Sequence, residues 1–528
     1  MFSKHNIRCA LAMAALVTMA SGCRDDNKGN TPAPEPSTMD PQLRIETYAG
    51  GELGTAFNAT ASAFEQPTPA TVKAGLEYEF KMGEAFFERD YTINTAPFKG
   101  LGPIYTRTSC LTCHPGYGHG GRQTRYRYND YGNGYKIIVT DRAGEPLSSL
   151  SIVPATKALP GLKPMIDEEQ VRINWIDYTD EWGNTFPDGE KYSLIYPELI
   201  IPEEAIYSPL IDAHGNPIAY ADLVMTLETS IGIYGTGLID AIPDDSIRAE
   251  YIRQERHGVP LNPAIWAAGN WTAMGADGHP FRFDYALDAT STQDNFTLWK
   301  ATNVVSAPFR HNFIPEAYGR KAAADPEIQA NFYANFPDAP NTGNVEADIF
   351  EFLCGDNKPL ELNEVQQYQL KLWARGLAVP AARNLEDEQV QLGRKLFRQI
   401  GCAACHRPSW TTGADEQVQD PSNVLGNRPV PRYPHQTIWP YTDLVQHRLF
   451  MQNDIRTGWC RTTPLWGRGL MQICAGHSDR LHDCRARNTL EAIMWHGSPQ
   501  SDARWTVDAF RKLSKQERDA VVKFIDAI

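Results

Sequence analysis

Two stretches of this chain carry residues whose types and spacing could do chemistry. Cys402-Ala403-Ala404-Cys405-His406 and Cys110-Leu111-Thr112-Cys113-His114 share the pattern C-x-x-C-H. Two thiols spaced by two residues can each form a thioether to one vinyl group of a porphyrin. The His that follows reaches the iron from the face below, so the pattern points to covalent c-type haem attachment. Two other readings compete. A thioredoxin-like redox pair needs no trailing His. Half of a zinc site needs a second ligand pair, and nothing near either motif supplies one cleanly. The reading adopted is two covalently bound haems. Cys110, Cys113, Cys402 and Cys405 attach them, and His114 and His406 each fill one axial position of an iron. The sixth position then decides the function: a protein ligand makes an electron carrier, an open site makes an enzyme.

The N-terminus supplies a compartment for that chemistry. Lys4 and Arg8 form a short positive region, and Cys9 to Ala20 is an apolar run too short to span a bilayer but right for a signal segment. Ala20-Ser21-Gly22-Cys23 resembles a bacterial lipoprotein cleavage site, with Ala where Leu is usual three residues before the Cys. Residues 1–22 are read as a lipoprotein signal peptide and Cys23 as the lipidated N-terminus; ordinary cleavage with a soluble product is the alternative. Both place the mature chain in the periplasm, with the lipid at Cys23 as the expected membrane attachment. Residues 23–47, rich in Asn, Pro and Thr, read as a flexible tether.

At 528 residues the chain has room for two or three domains. Hydrophobic residues make up 42% and charged residues 22%, which places it among globular proteins. A net charge of −14 argues against nucleic acid and permits docking to a basic redox partner. Of ten cysteines, four serve haem and two lie in the export segment. Cys354, Cys460, Cys474 and Cys484 remain; Cys474–Cys484 closes the shortest loop, with free buried thiols as the alternative.

Elements must position the two motifs. Thr71 to Glu88 carries apolar residues at helical spacing and predicts one helix beside the first motif. After His114 a Gly-rich loop lets backbone approach a haem edge, and His119 within it reads as an exposed loop residue. Tyr135–Val139 and Val171–Trp175 alternate like strands, and Arg142–Glu145 and Pro187–Glu190 read as hairpin turns, so a β-rich insertion follows the first motif. Gly232 to Arg248 reads as a loop leading into a short helix. Asn363 to Leu377 predicts an amphipathic helix. Asn384 is placed to cap the next, Glu386 to Gln399, which runs into Cys402. Asn488 and Ser514 open two further helices near the C-terminus with capping-box spacing. The fold class expected is mainly α, with two cytochrome-c-like haem domains over residues 48–380 and 381–528 and the β-rich insertion in the first. No internal repeat beyond the two motifs is evident.

Several blocks together resemble a known family. They are Gly100-Leu101-Gly102-Pro103 ahead of the first motif, Leu377-Ala378-Val379-Pro380-Ala381-Ala382-Arg383, Gly401 with the second motif, Arg461-Thr462-Thr463-Pro464-Leu465-Trp466-Gly467, Leu481-His482-Asp483, Thr489–Ile493 and Trp495-His496-Gly497. The family is the di-haem oxidoreductases, also labelled thiol oxidoreductases, related to the bacterial di-haem cytochrome c peroxidases. The resemblance implies a sixth ligand. In the related peroxidases a ligand of the C-terminal haem stands fourteen residues after a His-Asp-Gly-type turn, and that count from His482 reaches His496. His496 is therefore the expected partner of His406, with Met494 or a purely structural His496 as alternatives. Cys484 stands where the family usually has Gly. The resemblance further implies support around the haem from His482, Asp483 and Trp466, and a tryptophan between the haems, for which Trp373 and Trp466 are candidates; simple packing is the alternative for each. By analogy electrons pass from a small periplasmic electron-transfer protein to the C-terminal haem and on to the N-terminal haem. There a small-molecule substrate, a peroxide or a thiol or sulfur compound, reacts. A non-catalytic electron-transfer lipoprotein is the third possibility. The helical Gln and Glu that serve the related peroxidases have no counterpart in this sequence. Asp167-Glu168-Glu169 is the nearest acidic group and reads as a solvated turn, so no catalytic acid is named. Related peroxidases hold a calcium ion between the domains; no Asp-rich loop here demands one.

Overall fold

The computed structural model describes residues 41–92, 101–150, 153–294, 314–355, 362–416, 418–420 and 423–528. The signal segment, Cys23 and the tether up to residue 40 lie outside them. The protein is mainly α, with small two-stranded sheets between the helices. No helix among the described residues is long and apolar enough to cross a membrane.

Four helices position the two C-x-x-C-H motifs: α1 (Glu77–Glu88), α2 (Glu364–Arg375), α3 (Glu388–Gln399) and α4 (Lys515–Ala527). They form two matching pairs. In the first, α1 crosses α2 at Gly83, where a Cβ would collide with the Gln369 carbonyl and the Trp373 side chain. In the second, α3 crosses α4 at Gly393, where a Cβ would collide with the Ala520 carbonyl and crowd Phe524. In both, the helix-to-helix approach is so close that only hydrogen fits. One turn after each glycine an aromatic ring backs the motif's His: Phe87 lies 5.8 Å from His114 and Phe397 lies 6.2 Å from His406, at interplanar angles of 56° and 55°. Each of those rings leans on the aromatic of the crossing helix, Trp373 at 4.4 Å and Phe524 at 5.4 Å. The chain therefore carries an internal repeat of which the two motifs are only the visible part. It escapes a sequence reading because few identities survive: a Gly, an aromatic four residues on, and C-x-x-C-H.

Local chemistry explains the ends. Asn363 and Gln366 form a reciprocal capping box on α2, and Ser514 and Glu517 do the same on α4. The predicted helix Thr71–Glu88 is two helices, Pro69–Lys73 and α1, because Gly75 takes φ +68° between them. Asp387, not Asn384, caps α3, its carboxylate accepting from Gln389 and Val390; Asn384 instead takes a left-handed φ of +52° in the turn before it. The stretch after Gly232 ends in a thirteen-residue helix, Asp244–Arg256, longer than periodicity suggests because its buried face carries Glu250 and Gln254. Pro41–Thr47, assigned to the tether by composition, is helical, with Leu43 buried and Glu46 paired to Arg394 of α3.

The insertion pairs β1 (Lys136–Thr140) with β4 (Val224–Glu228), and β2 (Arg172–Tyr178) with β3 (Leu194–Ile200), all antiparallel. Gly144 and Gly189 take φ +87° and +89° in the two expected turns. The β2–β3 hairpin does not stay with the first motif. Tyr178 stacks on Trp495 at 4.8 Å, and Phe186, Tyr192 and Leu194 join the core of α3 and α4. In return, the core around the first motif draws Trp410, Tyr433, Val445, Trp466 and Met471 from beyond residue 380. The two halves are interleaved rather than laid end to end.

Candidate functional site

Each motif opens a short helical turn, Cys110–Cys113 and Cys402–Ala404. Ser109 caps the first, and Gly401 at φ +96° starts the second. A Cβ on Gly401 would strike the Trp505 ring, so glycine is required here twice over. Burial pushes Cys402 up to about 12 and raises Cys113 as well. Among the described residues one trio could hold a metal by side chains alone, Cys405, Asp443 and His447. It includes a motif cysteine but not Cys402, and its sulfur and imidazole donors are unlike an all-oxygen calcium shell.

His406 and His496 face each other with ring centres 6.4 Å apart. An iron held between two imidazoles by bonds of about 2 Å sets their centres about 6 Å apart. The tautomers agree with this. The Nδ1 of His406 lies 3.1 Å from the Tyr441 carbonyl and that of His496 lies 2.7 Å from the Ala492 carbonyl. Each Nδ1–H is thus used by the backbone, which leaves each Nε2 with a free lone pair. Burial, and for His406 also the neighbouring His496, lowers both, His406 to about 3, so both rings are neutral and able to ligate. Helix Thr489–Trp495, capped by Asn488, ends at His496 and aims it. Met494 is buried too but is absent from the cavity wall that holds both imidazoles. The residues present fit a haem.

His114 differs. Burial lowers it to about 4, so it too is neutral. It lines a cavity with Cys110 and Cys113 in which, among the described residues, no second His and no Met appears. The cavity wall is largely apolar, with Arg107, Lys136, Asp284, Arg461 and Arg468 as its charged members.

Residues 460–468 run between the two cavities. Along residues 460–468, Pro464 and Trp466 face the first cavity, Thr463 and Leu465 face the second, and Arg461 and Arg468 line both. Arg480 joins them at the second cavity, and burial together with Arg468 lowers it to about 10. Such a buried concentration of guanidinium groups suits the propionates of haem. Trp466 is thus the tryptophan on the wall between the sites. Trp373 packs behind Phe87 and lines neither cavity.

Other expected residues fall elsewhere. His119 is fully buried, not exposed: its ring bonds Tyr285 Oη at 2.9 Å and the Leu481 carbonyl at 3.0 Å, tying the first motif's loop to the 481–484 turn. Glu168 is buried beside Lys157 at 3.0 Å and accepts from the Tyr128 N–H, away from both cavities, while Glu169 of the same turn is exposed, so the solvated-turn reading fails for Glu168 alone. Cys460, Cys474 and Cys484 are bridged to no other cysteine. The expected Cys474–Cys484 bridge is absent because Cys474 reaches the Thr60 carbonyl and Cys484 the Gly120 carbonyl. Cys484 takes φ +66°, the left-handed conformation that explains a Gly in related chains. His482 lines the second cavity with both ring nitrogens buried and without hydrogen-bond partners, and Asp483 is held by Arg485 at 2.6 Å. Asp284, which no motif flagged, is the carboxylate on the wall of the first cavity.

Residues 360–528 match the family described as "Di-haem oxidoreductase, putative peroxidase". The matched stretch takes in α2 to α4, the second motif, the 460–468 wall and His496. The family so described is one of haem-dependent oxidoreductases. No curated protein and no solved structure matches the chain.

Proposed function

We propose that the protein is a periplasmic di-haem c-type oxidoreductase with peroxidase-like activity, tethered to a membrane through a lipid on Cys23. Cys402, Cys405 and His406 would hold one haem, suited to taking electrons from a small electron-transfer protein, and Cys110, Cys113 and His114 would hold a second, which would supply the chemistry for a peroxide substrate. The observation that carries this reading is the asymmetry between the two sites: paired imidazoles at His406 and His496, and at His114 a cavity with a single imidazole among the described residues. Bound haem iron supplies one-electron redox chemistry and, where a coordination position is open, the means to activate a peroxide.

The protein's own contributions follow from its geometry. Phe87 and Phe397 hold the proximal rings in place. The Tyr441 and Ala492 carbonyls fix the tautomers of His406 and His496. Arg253 and Gln254 donate to the Ala404 carbonyl at 2.9 and 3.1 Å and clamp the second motif's turn. Arg461 and Arg468 lay positive charge along the wall shared by the two sites, and Trp466 fills it with an aromatic ring.

Electron paramagnetic resonance of the purified holoprotein tests the proposal, first ferric and then reduced by one electron. A low-spin species from the His406 site and a high-spin species from the His114 site in either state are expected, with peroxide consumed by the half-reduced protein. Two low-spin species that persist on partial reduction, with no peroxide consumption, would refute it.

A further inference from the structure

Any weak acid that enters the cavity at His114 as HX must lose a proton to stay as the anion. The cavity's ionisable wall residues can be taken in turn. Arg107 gives its N–H groups to the Asn133, Thr106 and Tyr135 carbonyls and stays charged. The Tyr135 hydroxyl donates to the Asp483 carbonyl and the Tyr234 hydroxyl to the Trp466 carbonyl, and burial raises both phenols. Lys136, Arg461 and Arg468 are cations. Among the described residues Asp284 is the one carboxylate on the wall, and its Oδ2 is buried and accepts no hydrogen bond from any N–H or O–H of those residues.

Asp284 is also held in place. It takes φ +60°, a conformation that costs a non-glycine residue energy and persists only where the surroundings impose it. Arg461 imposes it, its Nε donating to the Asp284 carbonyl at 2.9 Å and its backbone N–H to the Tyr285 carbonyl at 2.9 Å. The tight loop that Phe283 and Ala289 close brings Asp288 back within hydrogen-bonding reach of the Asp284 carboxyl. Two carboxyls so placed share a proton more readily than both ionise. Packing around Asp288, and then the charge of Asp284, push it up to about 7. The side chain of Asp288 is nevertheless 43% accessible. The pair thus runs from the cavity wall to the surface. The other charged groups facing it are Arg461, Lys136, Arg456 at 3.5 Å from Asp288, and Glu228, which Arg456 and Lys136 also approach, at 3.7 and 3.8 Å.

We propose that Asp284 and Asp288 form a proton relay into the first cavity, Asp284 taking the proton of a weak acid that enters and Asp288 exchanging it with solvent. The H–X bond breaks, X⁻ remains in the cavity beside the Lys136 and Arg461 cations, and the proton moves to the Asp284 carboxylate and on to Asp288 and water. No electron moves in this step. Hydrogen peroxide and hydrogen cyanide are both acids of the required kind. The inference rests on the reading of the first cavity as the reactive one.

Cyanide binding to the ferric and half-reduced holoprotein, followed by stopped-flow absorption across pH 5 to 8, tests the relay without turnover. In the unsubstituted protein the association rate rises with pH through about 7. Asp284→Asn slows it by about a hundredfold and flattens the profile, and Asp284→Glu restores part of the rate. Asp288→Asn, which leaves the cavity wall intact, flattens the profile with a smaller loss of rate. The low-spin signal of the His406 site stays unchanged in each and reports correct folding. An unsubstituted protein that binds no cyanide in either oxidation state would overturn the reading of an open cavity, and the relay with it. Normal binding whose rate and pH profile are the same in Asp284→Asn and Asp288→Asn would overturn the relay alone.

Discussion

At the scale of single residues, the identity of a ligand turns on which nitrogen is free. His406 and His496 have Nδ1 committed to backbone carbonyls, and so present Nε2 to each other. Replacing His496 by Ala should convert the C-terminal site from low to high spin without displacing the haem, which under the proposed function Cys402 and Cys405 would hold covalently. Absorption and electron paramagnetic resonance spectra would show it. An unchanged low-spin signal would move the ligand elsewhere, with Met494 the first residue to test. The cysteines give a second prediction. Thiol titration of the unfolded holoprotein should count Cys460, Cys474 and Cys484 as reactive without prior reduction, since none of the three is bridged. Fewer thiols would mean that a disulfide forms after all.

At the scale of elements, two glycines set the close helix crossings, one in each half. Gly83 and Gly393 each face a backbone carbonyl of the crossing helix, which has no rotamer by which to yield. Gly83→Ala and Gly393→Ala should each cost about 1–3 kcal/mol or more through overpacking, against the small gain that Ala brings in an open helix. Removing the α3 cap by Asp387→Ala should cost about 1 kcal/mol. Denaturant unfolding of the holoprotein compares the three. A cost for Gly393→Ala no larger than that for the cap would mean that the helices can slide apart.

For the whole molecule, the wall at residues 460–468 matters most, since it belongs to both cavities. Arg468 lines each, so one substitution reaches two sites. Removing a buried cation makes reduction less favourable nearby. Arg468→Ala should lower the midpoint potentials of both haems in a spectroelectrochemical titration. A shift at one haem only would assign this guanidinium to a single site. The interleaving of the halves points the same way. The β2–β3 hairpin, inserted after the first motif, packs on the second, and segment 410–471, which follows the second motif, fills the core of the first.

The sequence by itself determined what depends on neighbours along the chain. Covalent haem attachment needs two thiols and an imidazole within five consecutive residues, and a helix cap is set within one turn, so both motifs and the starts of α2 and α4 are legible. His496 was reached only through family likeness and a count along the chain; its distance to His406 is a tertiary fact. The tertiary structure alone decided the rest. The repeat of the two halves shows itself in carbonyls facing Gly83 and Gly393, which no pattern of side chains announces. Burial of His119 and Glu168 depends on the 481–484 turn and on Lys157, distant in sequence from the first or separated by a turn from the second. Asp284 stands out neither by motif nor by periodicity, because its setting is made by a strained loop, a distant arginine and a cavity that exists only once both halves have folded around it.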